Sequence, residues 1–173
     1  LMRLFGKKPG GAILAPMIAN LIVSPLTPSN TARTAAMLPI VEGVAQAYRV
    51  EPGKSNFGKA LFIANTFASN ITAGGFLTAT IPNPVAIGMM VTAMGGAAVA
   101  TSWGFWALAA LPTTLVVLVG SQYVVRWIYP PEMKAIPGGL EYIEKELAAM
   151  GPTTAREKKA MLYFLLALVL WST

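Results

Sequence analysis

Residues 60–125 contain no Lys, Arg, Asp or Glu, a run of 66 positions between Lys59 and Arg126. A helix needs about 20 apolar residues to cross a hydrocarbon core. The run therefore holds two crossings and a turn, and its two ends return to the same side. Composition agrees, at 55% hydrophobic and 12% charged, where ordinary soluble domains carry about 25% charged residues. The basic residues gather at Arg3–Lys8, Arg49–Lys59 and Arg126–Lys159. Short basic loops favour the cytoplasm, and residues 9–48 keep the same parity if they too go in and come back. The basic islands flank apolar runs and form no stripe, so the net charge of +6 reads as topology and not as a nucleic-acid surface. The chain has neither Cys nor His. That removes thiolate chemistry, cysteine-ligated metals and the commonest general base. No nucleophile–base pair or metal cluster is visible, so no enzyme, metal or cofactor is expected.

The fold class expected is all-α and integral to a membrane. Residues 10–24 form an apolar helix that stops at Pro25-Leu26-Thr27-Pro28. Ser29-Asn30-Thr31 can cap a second helix over 31–47, bent near Pro39. Fifteen residues rise only about 22 Å, short of a core of about 30 Å. A re-entrant hairpin with its tip at Ser29–Arg33 is therefore expected, the alternative being two short crossings with an external loop. A third helix starts at 57 and breaks over 72–83. Asn83-Pro84 restarts it through 98, with glycines suited to close contact in lipid. Residues 105–125 form a full crossing, with Trp103, Trp106, Tyr123 and Trp127 as interfacial aromatics. An amphipathic helix is expected over 139–150, and Thr154-x-x-Glu157 is a capping box opening a last, incomplete helix. Five segments follow: the hairpin, 1–48; a discontinuous helix, 49–101; a full crossing, 102–127; a cytoplasmic linker, 128–159; and the start of another crossing, 160–173. The first residue is Leu and the last helix stops short, so a piece of a longer protein is expected.

Two breaks inside apolar runs, at 25–33 and 72–83, carry hydroxyls, amides and free backbone groups. Paired discontinuous helices point to the binding site of a secondary transporter. The N-terminus of the second helix has unpaired N–H groups and partial positive charge, suited to a carboxylate. Ser29, Asn30 and Thr31 add donors there. Arg33 adds a fixed cation, costly at membrane depth and so a marker of a pathway. The expected substrate is an anion.

Ser29-Asn30-Thr31-Ala32-Arg33 resembles the signature of the divalent anion:sodium symporter family, in the form carried by its exchanger branch, which takes in citrate:succinate and 2-oxoglutarate:malate exchange. Phe76–Pro84 is similar to the family's second break, and residues 129–171 to the connection between its repeats. The resemblance implies an elevator-type transporter with two inverted repeats, a homodimer at full length in a bacterial inner membrane. It exchanges di- or tricarboxylates by alternating access. By the same resemblance Ser29, Asn30, Thr31 and Arg33 bind the substrate, Gly75 and Thr78 line the site, and the second repeat's matching motif lies outside this chain. Sodium-coupled members carry a hydroxyl four positions before the motif serine, where this chain has Pro25; that weighs against sodium coupling. The alternatives are a sodium-coupled symporter of the same family and a small membrane scaffold without transport.

Overall fold

The computed structural model describes residues 5–6, 8–95, 102–133 and 151–172, with Lys145 and Ala148 as isolated helical positions between the last two stretches. Among the described residues every regular element is a helix. The amphipathic helix expected over 139–150 lies outside them.

Helix α1 spans Pro9–Val23 and tightens into a 3₁₀ turn at Ser24–Leu26. Helix α2 spans Asn30–Ala47 and runs unbroken through Pro39. Its N-cap is Ser29, whose Oγ accepts from the Ala32 amide at 3.2 Å. Helix α3 spans Asn56–Gly75, capped by Ser55 accepting from Gly58 N at 3.1 Å. A 3₁₀ turn at Leu77–Ala79 leads into α4, Pro82–Ala93. Helix α5 spans Trp103–Ile128, capped by Ser102 accepting from Phe105 N at 3.1 Å. Helix α6 spans Ala155–Ser172. The Thr154–Glu157 capping box opens it: Glu157 Oε2 accepts from Thr154 N at 2.7 Å, and Thr154 Oγ1 accepts from Glu157 N at 3.3 Å. The Thr154 amide, and the Thr154 hydroxyl donating to Glu157 Oε2 at 2.9 Å, hold the Glu157 carboxyl below its usual range.

The second break is shorter than the composition of 72–83 suggests. Gly74 and Gly75 are both helical, and Gly75 is the last residue of α3. Thr72 keeps its hydroxyl on the Ala68 carbonyl, 2.7 Å away and one turn back, a bond compatible with helix. At Gly75 the missing Cβ leaves room for Thr114 of α5, whose side-chain atoms would lie 3.1 Å from it. The restart also differs. Asn83 caps no N-terminus; its Nδ2 reaches back to the carbonyls of Ala73 at 2.8 Å and Phe76 at 2.9 Å. It thus satisfies acceptors that the end of α3 leaves open. Helix α4 ends at Ala93, before the expected 98, in a turn where Gly95 has φ +66°, a conformation glycine adopts without Cβ strain.

Helix α3 is the central element and packs on α1, α2 and α5. Its buried face alternates small and larger residues, Phe57, Ala60, Leu61, Ala64 and Ala68 among them, which permits close backbone approach. Helix α5 buries a single stripe of Ala107, Thr114, Leu118, Gln122 and Val125, a helical period. At one end of the bundle, Tyr48 stacks on Phe57 with ring centroids 4.8 Å apart. Gln122 Nε2 donates to Gly10 O at 2.8 Å, and Glu132 accepts from Phe57 N at 2.9 Å and from the Ser55 hydroxyl. The start of α1, the end of α2, the start of α3 and the end of α5 therefore share one end, as the parity argument requires.

Residues 9–26 and 103–128 are long and apolar enough to cross a bilayer. At about 1.5 Å per α-helical residue and about 2.0 Å in the 3₁₀ turn, 9–26 rises roughly 28 Å. Helix length alone therefore does not separate a re-entrant hairpin from a pair of crossings.

Candidate functional site

The two breaks meet on one side chain. Arg33 lies on the first turn and a half of α2 and is 1% exposed, the largest of the fully buried side chains. Its Nη2 donates to Ser69 O on α3 at 2.7 Å, and its Nη1 to Thr27 O in the first break at 3.1 Å. Longer approaches from Nη1 reach Ser24 O at 3.4 Å and Ala79 O, in the second break, at 3.5 Å. By distance, the Ser69 and Thr27 contacts are the strong ones. Arg33 Nε is buried with no partner. No carboxylate faces this guanidinium among the described residues. The fork expected to open toward a substrate carboxylate is instead turned inward, onto backbone carbonyls.

A layer of neutral polar groups supports it. Ser69 Oγ donates to Asn30 O at 2.8 Å and Ser24 Oγ to Thr72 O at 2.8 Å. One turn further along α1 and α3, Asn20 Nδ2 donates to Asn65 Oδ1 at 2.9 Å and to Pro16 O at 3.1 Å. Asn65 Nδ2 makes a long contact to Thr34 O at 3.4 Å. Asn20, Ser24, Arg33, Asn65, Ser69 and Thr72 are all buried. In an apolar interior each such group needs a partner, so these bonds fix how α1, α2 and α3 sit together. Asn20, Asn65, Ser69 and Asn70 were not singled out from sequence. The available signal was an amide or hydroxyl recurring at helical spacing inside an uncharged run.

The predicted site residues fall into three groups. Ser29, Asn30 and Arg33 lie together at the start of α2. Ser29 is committed to its cap, Asn30 Nδ2 donates to Asn70 Oδ1 at 2.7 Å, and Thr31 is exposed. By helix geometry the amides of Asn30 and Thr31 have no intrahelical acceptor. Thr78 joins the first break from the second: its Oγ1 donates to Pro25 O at 2.9 Å and accepts from Trp103 Nε1 at 3.1 Å. Gly75 faces α5 instead, against Thr114. Trp106 Nε1 donates to Gly74 O at 3.0 Å and Trp103 stacks on Phe76 at 5.7 Å. These two indoles therefore hold the second break as well as standing near a helix end, whereas Trp127 is 82% exposed. A cleft of about 370 Å³ lies beside the contact of Thr78 with Pro25, lined by Pro28, Leu77, Thr78, Thr80, Ile81 and Pro84 and by none of Ser29, Asn30, Thr31 or Arg33.

Among the described residues every regular element is a helix, and the two helix breaks converge on one buried cation. The family described as the sodium:sulfate symporter transmembrane region matches residues 1–173, and the chain belongs to that family. It is 35% identical over 161 residues to the L-tartrate/succinate antiporter of Escherichia coli (strain UTI89 / UPEC), covering 91% of this chain and 32% of that protein. The antiporter of the same name from Escherichia coli (strain K12) gives the same figures, 35%, 91% and 32%. It is also 35% identical over 171 residues to YflS of Bacillus subtilis (strain 168), covering 96% of this chain and 35% of YflS, whose name assigns it provisionally to malate transport. The chain thus spans about a third of the length of these relatives.

Proposed function

We propose that the protein to which this chain belongs exchanges di- or tricarboxylates across a bacterial inner membrane by alternating access, and that this chain supplies half of the binding site. The observation that carries this reading is Arg33, a buried cation at the point where both helix breaks converge. Its charge adds to the partial positive charge at the start of α2, and the backbone amides of Asn30 and Thr31 with the hydroxyls of Ser29 and Thr31 supply donors. A carboxylate at that helix start accepts from the amides while the guanidinium behind them neutralises it. Thr78 lines the cleft beside Pro28, the residue before the motif; Gly75 sets the approach of α3 to α5. The relatives' names, tartrate/succinate antiporter and malate transporter, fit a small carboxylate cargo.

Exchange is favoured over sodium coupling by what surrounds the guanidinium. Converging carbonyl oxygens are the ligands a hard cation takes, and here Arg33 fills that position itself. Pro25, where a hydroxyl stands in sodium-coupled members, agrees. A re-entrant α1–α2 hairpin is favoured by burial, because an external loop has no reason to hold Arg33 out of water. The same reading has a cytoplasmic linker over 128–159, a second inverted repeat carrying a matching motif, elevator-type motion and a homodimer.

The test is counterflow of labelled succinate or malate in proteoliposomes holding the full-length protein, with no sodium gradient. Exchange should proceed only with internal dicarboxylate, and Arg33→Ala should abolish it. Near-normal exchange by Arg33→Ala, or uptake driven by an imposed sodium gradient without internal substrate, overturns the reading.

A further inference from the structure

The side-chain amide of Asn30 has a direction, and a residue outside the motif sets it. On α3, Asn70 Nδ2 donates to the Thr66 carbonyl one turn back, at 2.8 Å. A carbonyl only accepts, so the Asn70 nitrogen must be the end that faces it. Asn70 Oδ1 is then left to face Asn30, and it accepts from Asn30 Nδ2 at 2.7 Å. This relay commits the Asn30 nitrogen to α3. Asn30 Oδ1 accepts from no donor among the described residues and stands as an acceptor in the first turn of α2.

A bare acceptor is the wrong group for a carboxylate, which itself only accepts. It is the right group for a hydroxyl. The free amides of the helix start take a carboxylate, and the neighbouring amide oxygen takes a hydroxyl close to it. We propose that Asn70 is a positioning residue that holds Asn30 Oδ1 as acceptor for the hydroxyl of a 2-hydroxy dicarboxylate, and so sets preference for such anions over unsubstituted dicarboxylates. This rests on the carboxylate site proposed above at Ser29–Thr31. Without Asn70 the Asn30 amide is free to turn over and offer a donor instead.

L-Malate and succinate differ by that one hydroxyl. In proteoliposomes with the full-length protein, each competes against labelled succinate exchange, and the ratio of their half-inhibitory concentrations is the readout. The wild type should prefer L-malate. Asn70→Ala, on an exposed part of α3, should shift the ratio toward succinate by roughly three- to tenfold, the worth of one neutral hydrogen bond. Asn70→Asp keeps an oxygen facing Asn30 Nδ2, so it should weaken both anions through its added charge and leave their ratio unchanged. A structural role alone would move both anions together in Asn70→Ala as well. A wild type without preference for L-malate, or an unchanged ratio in Asn70→Ala, overturns the proposal. If neither anion competes in the wild type, it is the carboxylate site itself that fails.

Discussion

Arg33 has five N–H donors spread over a planar fork, and the geometry around it uses that spread. Ser69 O and Thr27 O lie on different nitrogens and belong to different elements, α3 and the first break. An ammonium carries the same charge but radiates its donors from a single point on a flexible stem. Arg33→Lys is therefore predicted to fail at a task that charge alone would perform. It leaves at least one of the two strong acceptors unmet in an apolar interior, at a cost of about 1–3 kcal/mol. Exchange should fall at least tenfold, and the thermal unfolding midpoint in detergent should drop. A lysine variant with wild-type exchange would mean that the fork is dispensable. The polar residues around Arg33 are also the least legible in the sequence. Ser29 as a cap and Thr154 with Glu157 as a capping box are local patterns, complete within four residues, and the order of residues is enough to reveal both. The bonds from Asn20 to Asn65 and from Arg33 to Ser69 join positions 45 and 36 residues apart. No local periodicity encodes such pairings, although the presence of amides inside apolar runs marks the residues that need partners.

At the scale of helices, ends are fixed by partners drawn from elsewhere. Gly74-Gly75 reads as a breaker, but both glycines stay helical, and at Gly75 α5 packs where a Cβ would be. Asn83 reads as a cap for the helix it begins, but it closes the helix before it, which only the folded-back chain brings within reach. The other end of α3 is held likewise. Glu132, just past α5, accepts from Ser55 and from the Phe57 amide at the start of α3, where a negative charge also complements the helix dipole. Burial works against ionisation of this carboxyl, but the hydrogen bonds from Ser55 and from the Phe57 and Asn56 amides outweigh it and hold Glu132 below the usual carboxylate range. A depressed acid stabilises the fold above its unfolded pKa of about 4.3, and that stabilisation is lost as pH falls through the lower folded value. Glu132→Gln should thus lower the unfolding midpoint of the full-length protein at pH 7. The gap from wild type should persist at pH 5 and close only below about pH 4. A gap absent at pH 7, or one that closes between pH 7 and 5, would rule out the charged latch.

For the molecule as a whole, the uncharged run from 60 to 125 determined which ends lie together. The meeting of Glu132 with Ser55 and of Gln122 with Gly10 bears that out. Charge spacing was enough for this because returning to one side is a matter of parity, not of packing. It was not enough to set the depth of the α1–α2 tip, since 9–26 with its 3₁₀ turn is nearly as long as a crossing. Burial of Arg33 carries that part of the reading, together with the convergence of both breaks on it. The claim most exposed to test is that the start of α2 is a carboxylate site reached alternately from the two sides of the membrane. Thr31 is exposed there, and this chain has no cysteine of its own. A single Thr31→Cys in a cysteine-free full-length protein can therefore be probed with a membrane-impermeant thiol reagent, in right-side-out and inside-out vesicles. Labelling from both sides, suppressed by L-malate or succinate, is predicted; labelling from one side only, at a rate indifferent to either anion, would contradict it.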